Sequence, residues 1–161
     1  MSELEQLLNQ IAIDCNVAVA SKKKALEALS AMLGRSADSL SDTQIFDSLV
    51  ARERLGSTGL GHGVAIPHGR VAQLEQTAGA LLVLESGVDF DAPDGQPVNI
   101  LFGLLVPEAC NDEHLQILAG LAAMFSDADL RGALGSCSGE PALRQTMLSW
   151  KAKSAAQVQS L

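Results

Sequence analysis

Aromatic residues are scarce in this chain, whose 161 positions include four Phe, one Trp and no Tyr. A protein that binds single-stranded nucleic acid by base stacking needs several exposed rings, and few are available here. Basic residues are also few, because 11 Lys and Arg stand against 19 Asp and Glu, for a formal net charge of −8. A surface of that sign repels the phosphate backbone. We therefore expect no nucleic-acid partner.

Cysteine is nearly absent, and its pattern excludes a disulfide framework. The three cysteines, Cys15, Cys110 and Cys137, lie far apart, are odd in number and form no CxxC pair. This pattern suits reduced thiols in a cytosol and argues against a zinc ribbon. The N-terminus, MSELEQLLNQIAIDC, carries acids where a signal peptide carries basic and then apolar residues. We expect a cytoplasmic protein.

Long hydrophobic runs are missing as well. The longest, residues 78–84 and 100–107, fall far short of the ~20 residues that cross a bilayer, so we expect no direct membrane insertion. Their Ala, Leu and Val content instead predicts two strands, over 79–85 and 98–106, buried on both faces. Residues 87–96, rich in acids and turn formers, predict the connection between them.

Helical patterns lie on either side of these strands. Ser21 can cap a helix over 22–33, and the capping-box spacing from Ser41 predicts a second helix that ends by Gly56. Short strands are predicted over 16–19 and 64–66. Three further helices are predicted: one starting at 111–113, one over 127–134 capped by Ser126, and one from Ser138 or Glu140 through Trp150. The polar residues 151–161 are expected to form a tail that frays.

This order of elements predicts one α/β domain over residues 1–161, with a mixed sheet covered by helices. The chain is long enough to bury one core, 47% of its residues are hydrophobic, and it shows neither repeats nor a long linker.

The stretch 56–70 is unusual, because it holds five Gly and one Pro in 15 residues. Such a density breaks helices and lets backbone amides approach a ligand. His68 lies in it between Pro67 and Gly69, just past the predicted strand 64–66. A neutral imidazole is a competent nucleophile near pH 7, which makes His68 the first candidate for chemistry, although an ordinary loop histidine is the plainer alternative.

The segment RERLGSTGLGHGVAIPHGR resembles the active-site signature of the phosphotransferase-system enzyme IIA family of the fructose and mannitol type, and more narrowly its nitrogen-regulatory branch. The likeness continues in SKKKALEAL, FDAPDGQPVNILFGLLVPE and HLQILAGLAAMF, over roughly residues 17–148. It implies a single-domain α/β sandwich with a mixed sheet of about five strands flanked by helices.

The resemblance also implies the roles of three residues. His68 would receive a phosphoryl group from a histidine phosphocarrier protein, His114 would hydrogen-bond near that group, and Arg52 would contact its oxygens. Physical chemistry agrees, because phosphoryl transfer depends on positioning and on donors to the equatorial oxygens, and a guanidinium fork supplies such donors.

Ser57, Thr58, Gly59 and Gly61 are weaker candidates for phosphate contact, and a turn stabilised by Ser and Thr is an equally good interpretation. The spacing does not fit a Walker A loop, so we expect no nucleotide hydrolysis, no Mg²⁺ and no other cofactor. His62 receives no catalytic role. The spacing of His62 and His68 does not suit zinc, and no metal site is expected.

We expect a regulatory enzyme IIA whose phosphorylation state governs binding to target proteins, which in this family include potassium-transport and sensor proteins. Two alternatives stay open: a sugar-transport enzyme IIA that passes its phosphoryl group to a IIB domain, and a binding module that is never phosphorylated.

Ten acids and no Lys or Arg lie between Arg70 and Arg131. We hypothesise that they steer a basic phosphocarrier, in which case added salt, or Asp112→Asn with Glu113→Gln, slows transfer.

Overall fold

A computed structural model describes residues 2–109, 113–136 and 138–159. The helices over these residues are α1 (Glu3–Gln10), α2 (Lys22–Ser36), α3 (Asp42–Glu53), α4 (Glu113–Phe125), α5 (Ala128–Gly135) and α6 (Glu140–Gln159). The strands are β1 (Ala12–Val17), β2 (Gly59–Gly61), β3 (Val64–Ala65), β4 (His68–Val71), β5 (Ala78–Val88) and β6 (Val98–Pro107).

The strands form one mixed sheet in the order β1-β5-β6-β3-β2, with β4 also paired to β6. The two long strands β5 and β6 are antiparallel neighbours at its centre, and β1 runs parallel to β5. β3 and β4 follow one another along the same side of β6, both parallel to it, with Val64 opposite Ile100 and His68 opposite Leu104. The glycine-rich segment therefore supplies one edge of the sheet.

Helices cover both faces of the sheet, as predicted for strands that are apolar throughout. Successive residues of β5 belong to opposite cores: Leu81 and Val83 pack with α1, α4, α5 and α6, whereas Leu82 and Leu84 pack with α2 and α3. Phe102 is fully buried in the first core, and Phe90 is fully buried in the second. The mixed sheet flanked by helices is confirmed.

Local capping explains where the two helices of the second core begin. The Ser21 hydroxyl accepts from the backbone N–H of Lys24 at 3.2 Å. At α3, Ser41 and Gln44 form the reciprocal capping box that the sequence predicted. These two helices pack side by side and bring the C-terminus of α3 next to β4.

Several predicted boundaries were wrong. The described residues form six strands, of which β2 and β4 lie in the glycine-rich segment where the composition indicated a loop. The first strand is β1 rather than 16–19, α1 was not predicted, and the cap of α5 is Asp127 rather than Ser126. Helix α6 continues past Trp150 to Gln159.

Some predictions concern residues outside those described. They include the state of Cys110 and Cys137, the first residues of the 111–113 helix start, and the last residues of the tail. Within the described chain, no helix combines the length and the apolar character needed to cross a membrane.

Candidate functional site

The structure brings the three main candidate residues together around one open depression of about 680 Å³. His68 opens β4 directly after Pro67, Arg52 lies in the last turn of α3, and His114 lies in the first turn of α4. All three line the depression together with Arg70, and Leu55 and Leu115 form part of its wall. Residues that are distant in sequence thus meet at the edge of the sheet.

His68 is held by a main-chain acceptor. Its Nδ1 lies 2.8 Å from the carbonyl oxygen of Ile66. A carbonyl oxygen only accepts, so Nδ1 carries the proton and Nε2 of the neutral ring keeps its lone pair. The Ile66 N–H in turn donates to the Thr58 carbonyl at 3.1 Å, which fixes the backbone that holds the ring. Nε2 is therefore the nucleophilic atom.

The surroundings of His68 favour the neutral ring. Burial lowers its pKa below the ordinary value, and the positive charge of Arg52 acts in the same direction. The hydrogen bond to Ile66 and the carboxylate of Glu53 act in the opposite direction without reversing the shift. The lone pair on Nε2 is thus available at neutral pH.

His114 is buried, with 7% of its surface exposed. Its Nε2 lies 2.9 Å from Nη2 of Arg70. Because a guanidinium only donates, His114 Nε2 accepts this bond and the ring proton lies on Nδ1. No described residue accepts from Nδ1. One of the two ring nitrogens is therefore satisfied and the other is not.

Arg52 reaches across the end of its own helix. Its Nη1 donates to the Gly56 carbonyl at 2.9 Å, where the chain leaves α3 for the glycine-rich segment. A guanidinium has five N–H donors, so this bond leaves others that can meet an anion in the depression.

Glu53 lies behind this site in a dense polar cluster. Its carboxylate accepts from the Thr58 N–H at 3.3 Å and from the Thr58 hydroxyl, and pairs with Lys22 Nζ at 3.0 Å. Lys22 also lies 4.6 Å above the ring of Phe90 and donates to that residue's carbonyl at 3.4 Å. The cluster ties the glycine-rich segment to α2 and α3.

The weaker phosphate-contacting candidates lie elsewhere. Of the residues described, those lining the depression do not include Ser57, Thr58, Gly59 or Gly61. The Ser57 hydroxyl donates to the Phe90 carbonyl at 2.9 Å and accepts from the Gly59 N–H at 3.1 Å, and the Thr58 hydroxyl donates to Glu53. These bonds fit the turn-stabilising alternative. Phosphate contact by the four residues stays a prediction.

His62 is exposed and has a left-handed backbone, with φ of 57°. Its N–H donates to the Asp94 carboxylate at 2.9 Å, a bond that lowers the pKa of Asp94. Among the described residues, no group of three or more His, Cys, Asp and Glu is placed to hold a metal ion. The steering hypothesis involves Asp112, which lies outside the described residues, so that hypothesis is not tested.

Arg70 is the residue of the depression that the sequence reasoning missed. It follows His68 by two positions, and in a strand residues two apart share one face. The burial pattern of β4 agrees, because Gly69 and Val71 are buried whereas His68 is half-buried and Arg70 is exposed. The two-residue spacing is visible in the sequence. It places His68 and Arg70 on one face only if residues 68–71 form a strand, which the sequence did not predict.

Comparison with known proteins gives the family. The model of the family described as phosphoenolpyruvate-dependent sugar phosphotransferase system, EIIA 2, matches residues 6–150. The chain belongs to this family. It is therefore a component of a phosphotransferase system, as the resemblance of its glycine-rich segment implied.

The similar proteins include nitrogen regulatory proteins. That of Pseudomonas aeruginosa is 45% identical over 148 residues, covering 92% of this chain and 96% of the relative. That of Escherichia coli is 35% identical over 144 residues, covering 89% and 88%. The solved structure of the nitrogen regulatory protein IIA-Ntr from Neisseria meningitidis has a TM-score of 0.83 at 43% identity, covering 91% of this chain and 99% of that one.

Proposed function

We propose that this protein is a nitrogen-regulatory enzyme IIA that accepts a phosphoryl group on Nε2 of His68 and changes its binding to target proteins when it does so. The observation that carries the proposal is the hydrogen bond from His68 Nδ1 to the Ile66 carbonyl, which leaves Nε2 unprotonated in the depression. The nitrogen regulatory relatives at 45% and 35% identity support the regulatory part.

The transfer is a displacement at phosphorus. The Nε2 lone pair of His68 forms a new N–P bond while the N–P bond of the phosphocarrier's phosphohistidine breaks, and its electron pair returns to the carrier's nitrogen. The His68 ring does not have to gain or lose a proton at Nδ1. Arg52 lines the same depression and would donate to the equatorial oxygens, where charge builds up in the transition state.

The rim of the depression suits a protein partner. Leu55 and Leu115 are 84% and 58% exposed, and both line it. A histidine phosphocarrier protein would cover this rim during transfer. Phosphorylation then adds about −1.5 to −2 charges to the depression that the two leucines line, which disfavours an apolar partner surface and favours a basic one. Regulatory targets, such as the potassium-transport and sensor proteins that the resemblance implies, would read this difference.

The test is intact-mass analysis after incubation with phosphoenolpyruvate, enzyme I and the phosphocarrier protein. The wild type should gain one phosphoryl group, and His68→Ala should gain none. His62→Asn is the matched control, because His62 lies in the same segment, is exposed, and has a left-handed backbone that Asn tolerates. A wild type that stays unmodified beside an active donor would contradict the proposal and favour a binding module on this fold.

A sugar-transport role is the second candidate, and one comparison favours it. The fructose-specific EIIABC component of Bacillus subtilis is 30% identical over 142 residues, which cover 88% of this chain but 22% of that protein. Adding a fructose-type or mannitol-type IIB domain to the phosphorylated protein separates the two. Rapid loss of the phosphoryl group to IIB would support transport, and retention would support regulation.

A further inference from the structure

Arg70 and His114 form a pair that the transfer step described above does not use. The Arg70 Nη2 donates to His114 Nε2 at 2.9 Å. In this arrangement His114 has no proton on Nε2, so it cannot donate from that atom to a phosphoryl group. The proton lies on Nδ1, which is buried and has no acceptor among the described residues.

The buried Nδ1 of His114 does not by itself select a tautomer. A buried ring nitrogen without a partner costs about 1–3 kcal/mol, whether it is a donor in the Nδ1–H form or a bare acceptor in the Nε2–H form. The bond from Arg70 is the one described interaction of the ring that favours the Nδ1–H form. The arginine therefore decides which of the two neutral forms the His114 ring adopts.

We propose that Arg70 is a positioning residue that switches between two acceptors: Nε2 of His114 in the unmodified protein and the phosphoryl group in the protein phosphorylated on His68. When Arg70 leaves, His114 releases its Nδ1 proton to solvent and takes one up on Nε2, so the ring stays neutral. Nε2–H then donates to a phosphoryl oxygen. This inference rests on the proposed function of His68.

Three observations support the switch. Arg70 follows His68 by two residues on one face of β4, so both side chains start from the same side of the strand. Arg70 is exposed and lines the same depression, which leaves its side chain room to move. A phosphoryl dianion is also a stronger acceptor for a guanidinium than a neutral ring nitrogen is.

The experiment is two-bond ¹H–¹⁵N correlation NMR of histidine-labelled protein at neutral pH, which reports the tautomer of each ring. In the unmodified wild type we expect His114 to be protonated on Nδ1. After phosphorylation by the phosphocarrier system, or in unmodified Arg70→Gln, we expect the Nε2–H form. Arg70→Lys keeps a charged donor group at this position and should restore part of the Nδ1–H population that Arg70→Gln loses. Arg54→Gln is the matched control, since Arg54 is exposed and does not line the depression, and it should behave as the wild type.

The outcomes separate this inference from the proposed function. An Nε2–H ring in the unmodified wild type, or an unchanged ring in folded Arg70→Gln, would overturn the switch whether or not His68 is phosphorylated. Failure to phosphorylate His68 would overturn the proposed function. The tautomer of His114 in the unmodified wild type and in Arg70→Gln would still show whether Arg70 determines the protonation of that ring. If both the proposed function and the switch are correct, the equilibrium of phosphoryl transfer between the phosphocarrier and the Arg70→Gln variant should shift roughly fivefold toward the phosphorylated carrier. The reason is that the variant lacks the charge-assisted bond from Arg70 to the phosphoryl group.

Discussion

Glu53 and His114 are both buried polar residues beside the depression, but their hydrogen-bonding positions are filled to different degrees. The Glu53 carboxylate meets the Thr58 N–H, the Thr58 hydroxyl and the Lys22 ammonium. Among the residues that the structure describes, His114 has one partner, Arg70, and its Nδ1 has none. A buried cluster whose hydrogen-bonding groups are all paired is rigid. A buried group with an unpaired donor or acceptor can adopt a second hydrogen-bonding arrangement at lower cost. The Glu53 cluster is thus suited to hold the site, and the His114 pair is suited to respond.

Glu53→Leu should have the largest effect on stability. The substitution leaves the buried N–H and hydroxyl of Thr58 without their acceptor and removes one of the two carboxylates that pair with Lys22. Breaking a buried pair of this kind costs about 3 kcal/mol. Urea unfolding followed by circular dichroism measures the loss. Glu27→Leu is the control, because Glu27 forms an exposed pair with Lys24 whose removal costs about 0.5 kcal/mol or less. Equal losses in the two variants would show that the Glu53 cluster does not hold the fold.

Gly69→Ala should have an intermediate effect, through the strand that carries His68 and Arg70. A Cβ at Gly69 would collide with the Ser48 hydroxyl and lie 3.2 Å from Ser48 Cβ, so β4 must move away from α3. We expect a loss of about 1–2 kcal/mol in urea unfolding and slower phosphorylation of His68.

Two variants check the Gly69 prediction. Ser48→Gly removes the colliding side chain and should recover part of the phosphorylation rate when combined with Gly69→Ala. Gly132→Ala in α5 meets nothing within 4 Å and should be neutral or stabilising. Full activity of Gly69→Ala on its own would mean that the position of β4 is not critical.

The pH dependence of His68 should be the smallest effect on stability. Its folded pKa lies below its ordinary value of about 6.5, so the unfolded chain binds more protons when the pH lies between these values. The contribution of the neutral ring is complete above about pH 6.5 and declines as the pH falls toward the folded pKa. Unfolding free energies measured at steps from pH 7 to pH 5 should decline less for His68→Gln than for the wild type. Parallel curves would exclude the shift.

Much of the fold followed from local sequence. Ser21 and the Ser41 capping box act within their own helices, and the apolar runs of β5 and β6 identify strands that are buried on both faces. Helix α1 was missed because it has eight residues, of which only Leu4, Leu7 and Leu8 are buried. The pattern of so short a helix is weak, and tertiary packing decides it.

The site was harder to predict in full, because its missing parts depend on pairing over long distances. His68, His114 and Arg52 could be named from the resemblance. β4 exists because residues 68–71 pair with 104–107, which the glycine and proline content of the segment does not reveal. Without that strand, the shared face of His68 and Arg70 and the contact between Arg70 and His114 are not visible.

The acceptor that orients His68 belongs to the main chain. Substitution of Ile66 by any residue except proline, which lacks the N–H, would leave a carbonyl at the same place. The condition is that the N–H of residue 66 still donates to the Thr58 carbonyl and the Leu104 N–H still donates to the Pro67 carbonyl. The position of the proton on the His68 ring is therefore set by the path of the backbone and not by a neighbouring side chain. Substitutions at position 66 can alter the packing of the core without changing which ring nitrogen keeps its lone pair.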